Sequence, residues 1–485
     1  MTTATPTRTA EATEAGAETS MYDVVVLGGG PGGYVAAIRA AQLGLRAAVV
    51  ERESLGGICL NWGCIPSKAL LRSAEVLTLI NHAKDFGISV GGVEPDYAAA
   101  LTRCQGIVDR QVKGVGFLMR KNKIDVHMGT GRLDGTGRVV VQDADGVQKT
   151  LQTRNVIVAT GSRVRTIRGA EIDGHVVVSS REVWGIDDLP KHVVVLGAGA
   201  IGVEFATVFN AYGCDVTVVE MLPRILPLED KDSSETLRRA FTKRGIKLLT
   251  ETRVDRVEVA DGKAKIYVVP AGEGAKGEPQ TLEAERVLYG MGFLPNSENL
   301  GLEELGVKVE RGFIQVNDRM ETGVPGIYAI GDVTGKLMLA HVASAMGGVA
   351  AEVIAGHPTI RLDMNSMPRC TYSAPQVASM GLTEEQARAQ GEVRVGTFPF
   401  RPNGKAMALG ETDGQIKIIE DPQSGEILGA HLVGPDVTEL IGEFSLARFL
   451  EATPEELARA VHPHPTLSEV IAEAALGVEG QPIHM

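Results

Sequence analysis

Two cysteines, Cys59 and Cys64, stand with four residues between them in the run Gly56-Gly57-Ile58-Cys59-Leu60-Asn61-Trp62-Gly63-Cys64-Ile65-Pro66-Ser67-Lys68. Making and breaking one disulfide moves two electrons, the quantum that a flavin or nicotinamide also carries. A purely structural bridge is the alternative, but closing so short a loop would contribute only about 2 kcal/mol. With 5 Cys in 485 residues, the chain is no disulfide scaffold. The pair therefore reads as redox chemistry, and Cys104, Cys214 and Cys370 as dispersed, buried small hydrophobes. A second constellation lies near the far end, in His462-Pro463-His464-Pro465-Thr466-Leu467-Ser468-Glu469. A histidine with a carboxylate five residues on suits acid–base work, the carboxylate orienting the ring and raising its basicity. A rigid surface turn with a helix cap at Thr466 accounts for the same residues equally well.

The elements around the cysteines repeat one device. The β-rich run Tyr22–Leu27 leads into Gly28-Gly29-Gly30-Pro31-Gly32-Gly33, a helix and a second strand ending at Glu51. Residues 192–220 do the same, with Gly197-Ala198-Gly199-Ala200-Ile201-Gly202, a helix and a strand ending at Glu220. In such a strand–GxGxxG–helix unit the first glycine makes the turn, the second admits a pyrophosphate and the third lets helix and strand pack closely. The helix N-terminus offers N–H donors to the phosphates, and the terminal carboxylate suits a ribose hydroxyl. Two units imply two nucleotides. Glu220 would repel a 2′-phosphate, and no basic residue follows it before Arg224, which favours NAD over NADP. A clash of about 2–3 kcal/mol corresponds to a preference of roughly 30- to 150-fold. Asn155–Ser162, a strand breaking at Thr160-Gly161 and Ser162, and residues 327–332, a strand ending in Gly331-Asp332, suit a flavin site, although Asp332 also fits an ordinary turn. Residues 339–350 read as a helix whose N-terminus favours negative charge on a reduced ring.

Composition sets the outer bounds. Hydrophobic residues make up 44% and charged residues 22%, a normal globular balance at a length that calls for two to four domains. The net charge of -13, without a basic run, argues against nucleic acid as a partner. No apolar stretch is long enough to span a bilayer, and no metal is called for. The first twenty residues lack a signal core and an Arg-rich transit pattern, so a disordered tail in a cytoplasmic protein is expected. From about residue 362 strands and helices alternate without a third fingerprint, as in a separate α+β domain.

Together these residues resemble the class I pyridine nucleotide-disulfide oxidoreductases, and among them the dihydrolipoamide dehydrogenases. The elements that carry the resemblance are GGICLNWGCIPSKAL, GAGAIGVEFATVF, IYAIGD, MLAH, PQVASMGLT and HPHPTLSE, spread over roughly residues 21–480. The resemblance implies an α/β fold with two Rossmann-like domains, one for FAD and one for NAD, and a C-terminal α+β dimerisation domain. The expected division is a tail at 1–20, the FAD domain at 21–161, the NAD domain at 162–290, a central segment at 291–361 completing the FAD domain, and the interface domain at 362–485. It implies that Cys59 is the interchange thiol, Cys64 the charge-transfer thiol, Lys68 the lysine by the flavin and Glu204 its acidic partner. His464 becomes the acid–base residue and Glu469 its orienter, acting across a homodimer. FAD contacts fall on Gly28, Gly30, Gly33, Glu51, Lys68, Gly131, Thr160, Gly161, Ser162, Asp332 and Ala340. NAD contacts fall on Gly197, Gly199, Ile201, Gly202, Glu220, Val254 and Gly292. The implied partners are lipoyl domains and the core acyltransferase of 2-oxo acid dehydrogenase complexes, with glycine cleavage as a further setting. Reduction of another disulfide, or a non-enzymatic flavoprotein scaffold, are the alternatives. Ile58, Trp62, Phe293 and Val342 depart from the common pattern, the first two as changes of loop packing.

Overall fold

The structure, a computed structural model, describes residues 21–272 and 278–485. The expected tail at 1–20 lies outside them. The first sheet runs Asp125–Met128, Ala47–Glu51, Tyr22–Leu27, Gln148–Val158, Arg138–Gln142, Thr130–Leu133, with Ile327–Ala329 also paired to Gln148–Val158. The eleven-residue strand Gln148–Val158 belongs to two environments. Its first five residues, in an antiparallel meander, are exposed except for Leu151, whereas Val156, Ile157 and Val158 are all buried in the parallel part. Continuous burial is what a parallel sheet covered on both faces requires.

The helix Pro31–Gln42 starts on a proline and buries Ala36, Ala37 and Ala40. Against it packs the helix Ala340–Ile354, so closely that a Cβ on Gly347 would lie 2.6 Å from the Gly32 carbonyl oxygen. Small residues thus bring the late helix to the first nucleotide loop, and Arg39 and Glu352 close the contact at 2.7 Å. The expected strand ending in Gly331-Asp332 is shorter than its sequence suggests. It stops at Ala329, and Gly331–Thr334 form a 3₁₀ turn because Gly331 takes a left-handed φ of +73°.

The second sheet is wholly parallel, in the order Lys247–Leu249, Asp215–Val219, His192–Leu196, Arg286–Tyr289, Val177–Ser179. The strands Ser162–Val164 and Phe293–Pro295 pair antiparallel between the two folds. The C-terminal part is a five-stranded antiparallel sheet covered by the helices Val437–Phe449, Pro454–Arg459 and Glu469–Val478. The fold is therefore α/β, with two Rossmann-like units and a C-terminal α+β domain.

A buried ion cluster ties the last two units together. Lys417 Nζ, with 4% of its side chain exposed, meets Asp230 at 2.9 Å, Asp232 at 2.6 Å and Glu384 at 2.8 Å. Asp230 also caps the helix Lys231–Lys243. Removing one partner of a buried pair strands the other charge. Lys417→Met should cost about 3–5 kcal/mol in denaturant unfolding; a loss below about 1 kcal/mol would mean that water, not lysine, satisfies these carboxylates.

Candidate active site

The redox loop is built from two helices that almost touch end to end. Gly56 has a φ of +93°, and a Cβ there would meet the Leu60 side chain at 2.6 Å. The short helix Gly57–Asn61 carries Cys59, and the helix Cys64–Asn81 begins on the second cysteine. Asn61 Nδ2 closes the loop, donating to the carbonyls of Gly57 at 2.9 Å and Leu55 at 3.1 Å. Both thiols are free, Cys59 half-buried and Cys64 exposed.

The two sulfurs share a hydrogen bond, and their acidities separate because of it. Cys64 is drawn down to about 7, chiefly by the hydrogen bond from Cys59 and then by the charge of Lys68 and its own backbone N–H, against opposing burial and Glu204. Cys59 is pushed far above the ordinary thiol range by the same hydrogen bond, by burial and by the charge on Cys64. The pair thus behaves as one acidic thiol and one thiol that donates to it.

Lys68 lies one turn into the second helix. Its Nζ reaches both carboxylate oxygens of Glu204, at 2.9 and 2.8 Å. Glu204 is buried in the helix Ala200–Ala211 and also accepts the Tyr372 backbone N–H at 2.9 Å. Burial works against the charge on Lys68, but Glu204 outweighs it and the ammonium is held above its ordinary range. The Tyr372 ring stands 4.7 Å from Nζ. Nothing in the sequence marked Tyr372, whose role comes from a backbone N–H and a ring face.

The two glycine loops match in detail. Glu51 accepts Gly29 N–H at 2.7 Å and Glu53 N–H at 2.7 Å; Glu220 accepts Ala198 N–H at 2.7 Å and Leu222 N–H at 2.8 Å. Each carboxylate therefore holds its own loop as well as standing where a ribose would bind. A Cβ on Gly33 or Gly202 would strike the carbonyl oxygen of Gly28 or Gly197 at 1.9 or 2.0 Å. On Gly30 and Gly199 it would meet nothing nearer than 3.9 Å. The first and third glycines serve the protein's own packing; the middle ones leave a cradle that a side chain would fill, and two dinucleotides fit there.

Around the first loop, Asn296 straps the break in the 148–158 strand. Its Nδ2 donates to the carbonyls of Thr160 at 3.1 Å and Ser162 at 3.0 Å, its N–H donates to Gly161, and its carbonyl accepts Thr160 Oγ1–H at 2.6 Å. Ser162 Oγ–H donates to Asp332 at 2.7 Å, and burial raises the Asp332 carboxyl. Gly131 sits in the meander where a Cβ would strike Leu27 and Val50, so its smallness serves packing as well. Ala340 begins its helix beside the cleft described next. On the second fold, Ile201 and Val254 are partly buried at the core, and Gly292 has a φ of +84°. Phe293 pairs with Val164, and Val342 is wholly buried.

Cys59 opens on a cleft of about 550 Å³ lined by Tyr34, Gln111, Phe117, His341 and Ser344. The Tyr34 phenol is pushed up by burial and by the charge of Cys59. His464 Nδ1 and Glu469 Oε1 lie 2.9 Å apart, and Glu469 Oε2 accepts the Thr466 N–H at 2.8 Å. The helix cap is Ser468, not Thr466, whose backbone instead orients Glu469. The His464 ring is 78% exposed, and among the described residues no hydrogen bond or ion pair links it to the cysteines. Its neighbour His462 is buried against Glu443 at 2.9 Å. Cys104 and Cys214 are buried as expected, but Cys370 is only half-buried, because it packs at the edge of the C-terminal core with Thr438.

The chain as a whole is similar to known proteins. Residues 22–347 match the family described as pyridine nucleotide-disulphide oxidoreductase, and residues 367–475 its dimerisation domain. The dihydrolipoyl dehydrogenase of Rhizobium etli is 48% identical over 95% of this chain and 98% of its own length. Those of Bacillus subtilis and Mycobacterium tuberculosis are 46% and 48% identical, each over 96% of this chain and 99% of theirs. Among solved structures, LpdA from Mycobacterium tuberculosis aligns with a TM-score of 0.87 at 29% identity, over 93% of this chain and 98% of its own. The HOCl-induced flavoprotein disulfide reductase RclA from Escherichia coli, in its Cu(II) complex, aligns at 0.82 and 25% identity, over 94% and 99%.

Two outcomes follow from this geometry. Gly30→Ala should fold and lose its bound flavin, whereas Gly33→Ala should fail to fold, as read by circular dichroism and flavin content; equal losses in both would deny the cradle. In the reduced protein, iodoacetamide should modify Cys64 with a midpoint near pH 7, the thiolate forming above it and disappearing below it. A midpoint in the ordinary thiol range of about 8.5 would show that Cys59 does not donate to Cys64.

Proposed function

The chain belongs to the pyridine nucleotide-disulphide oxidoreductase family, and on that premise we propose that it oxidises dihydrolipoamide to lipoamide with NAD as the acceptor. The observation that carries the reading is the free Cys59–Cys64 pair, with Cys59 opening on the cleft and the Lys68–Glu204 ion pair one turn beyond Cys64. FAD and NAD are its cofactors, and the two open middle glycines give each dinucleotide a cradle.

The residues divide the work. A substrate thiolate attacking a disulfide expels the better leaving group, so attack falls on Cys59, which faces the cleft, and Cys64 leaves as the acidic thiolate. The second substrate sulfur then attacks the first, which is bonded to Cys59, and breaks that bond, so that Cys59 leaves as a thiolate and takes up a proton. The substrate closes as a disulfide and the protein retains a dithiol, a transfer of two electrons. A base must take the substrate protons, and the His464–Glu469 pair suits that task. Glu469 fixes the Nδ1 side of the ring, leaving Nε2 to accept a proton. Lys68 keeps a positive charge beside the Cys64 thiolate. FAD, held at the first glycine loop by Gly30 and Glu51, would supply two-electron uptake and hydride donation to NAD.

The exposed His464 and the dimerisation domain support a homodimer in which this pair serves the cleft of a second copy. On the nucleotide side, Arg224, the first basic residue after Glu220, is engaged by Glu385 at 3.0 and 3.1 Å. That arrangement supports NAD over NADP. Lipoyl domains and the core acyltransferase of a 2-oxo acid dehydrogenase complex are the partners this reading supplies, in a cytoplasmic setting consistent with the free thiols Cys104 and Cys214. No described helix is long and apolar enough to cross a membrane.

Steady-state assays with dihydrolipoamide, glutathione, NAD and NADP test the reading. Dihydrolipoamide with NAD should dominate, and His464→Gln should cut that rate by at least about 100-fold while sparing NADH–dye activity. Faster turnover of glutathione with NADP would replace this substrate, and equal losses in both assays would give His464 a folding role.

A further inference from the structure

Only Trp62 and Gly63 separate the helix that carries Cys59 from the helix that begins at Cys64. These two residues are the hinge between the sulfurs. Trp62 has φ −146° and ψ 16°, and its N–H returns to the Ile58 carbonyl at 3.0 Å. Beyond its own loop it is held from the second nucleotide fold. The Arg181 guanidinium lies over its ring at 4.4 Å, and Trp184 Nε1–H donates to its carbonyl at 3.0 Å. Arg181 is itself anchored by an ion pair to Glu53 and by its N–H to Ser179 Oγ at 3.1 Å. It follows the edge strand Val177–Ser179 of the second sheet, so the grip on the hinge comes from a different nucleotide fold from the one whose helices carry the cysteines.

We propose that Arg181 is a positioning residue of the redox centre, which grips the Trp62 hinge from the second nucleotide fold and so fixes the reach of Cys59 toward Cys64. This rests on the redox reading of the cysteine pair. A hydrogen bond between sulfurs depends on their separation, and the hinge sets that separation. Cation–π stacking on tryptophan is directional enough to hold the ring, while the Trp184 indole N–H holds the carbonyl behind it. The groups that bear on Cys64 are Cys59 on the preceding helix, Lys68 on its own helix and Glu204 on Ala200–Ala211. Arg181 acts only through the first of these.

The test uses reduced holoenzyme and the pH profile of iodoacetamide modification at Cys64. Arg181→Ala should raise the midpoint by about one unit, a tenfold loss of thiolate below the midpoint, and Arg181→Lys should restore most of it. The chain has 2 Trp, both at this junction, so tryptophan emission reports on it alone. Emission should shift to the red in Arg181→Ala as the ring loses its cover. Should that variant not fold, Trp62→Val, which deletes the stacked ring, carries the same expectation for the midpoint. A wild-type midpoint in whichever of the two variants folds, or wild-type emission in Arg181→Ala, overturns the proposal. A wild-type protein in which Cys59 and Cys64 do not form a disulfide reversible by dithiothreitol would instead overturn the redox reading itself.

Discussion

The carboxylate of Glu204 is where three parts of the chain are tied together. It sits on the helix after the second glycine loop and takes both its cation and a backbone N–H from elsewhere, Lys68 from the redox helix and Tyr372 from the C-terminal domain. A buried carboxylate without a partner costs several kcal/mol. Lys68 must therefore stay charged and stay in place. Its position one turn after Cys64 then lends positive potential to that sulfur. The electrostatics of the redox pair are thus a by-product of a structural necessity, the neutralisation of one buried acid.

The duplicated nucleotide folds follow the same economy. Glu51 and Glu220 accept N–H groups from their own glycine loops, which holds each loop in shape and leaves further lone pairs for a ribose. The outer glycines are demanded by contacts below 3 Å with backbone carbonyls, the middle ones by nothing inside the protein. Within one motif, then, some glycines preserve the fold and one makes room for a ligand.

Much of this was legible in the sequence because it is local. The strand–GxGxxG–helix units, the carboxylate at each strand end, the spacing of Cys59, Cys64 and Lys68, and the proximity of His464 to Glu469 all lie within short stretches whose geometry is fixed by strand and helix periods. The parts that were not legible are contacts between distant segments. Tyr372 acts through its main chain, Asn296 straps a loop formed far earlier, and Arg181 reaches the redox loop from another sheet. Each uses a residue type common on any surface. The Asp332 strand ended early for a related reason: a left-handed glycine stops pairing without altering the apolar pattern before it.

The two histidines of the C-terminal run, one proline apart in sequence, have opposite fates, and the difference argues for a second copy of the chain. His462 is buried against Glu443, satisfied within its own domain. His464 is oriented by a carboxylate that is in turn held by the Thr466 N–H, yet it points outward and stays 78% exposed. Such ordering of an exposed ring is worth little to stability, since surface ion pairs contribute about 0–1 kcal/mol. The same domain also exposes Leu446, Phe449, Leu450 and Val461, an apolar set that a lone soluble chain has no reason to present. The homodimer proposed above would set this ring against the Cys59 cleft of a second copy, and neither copy would then hold a complete reaction centre alone.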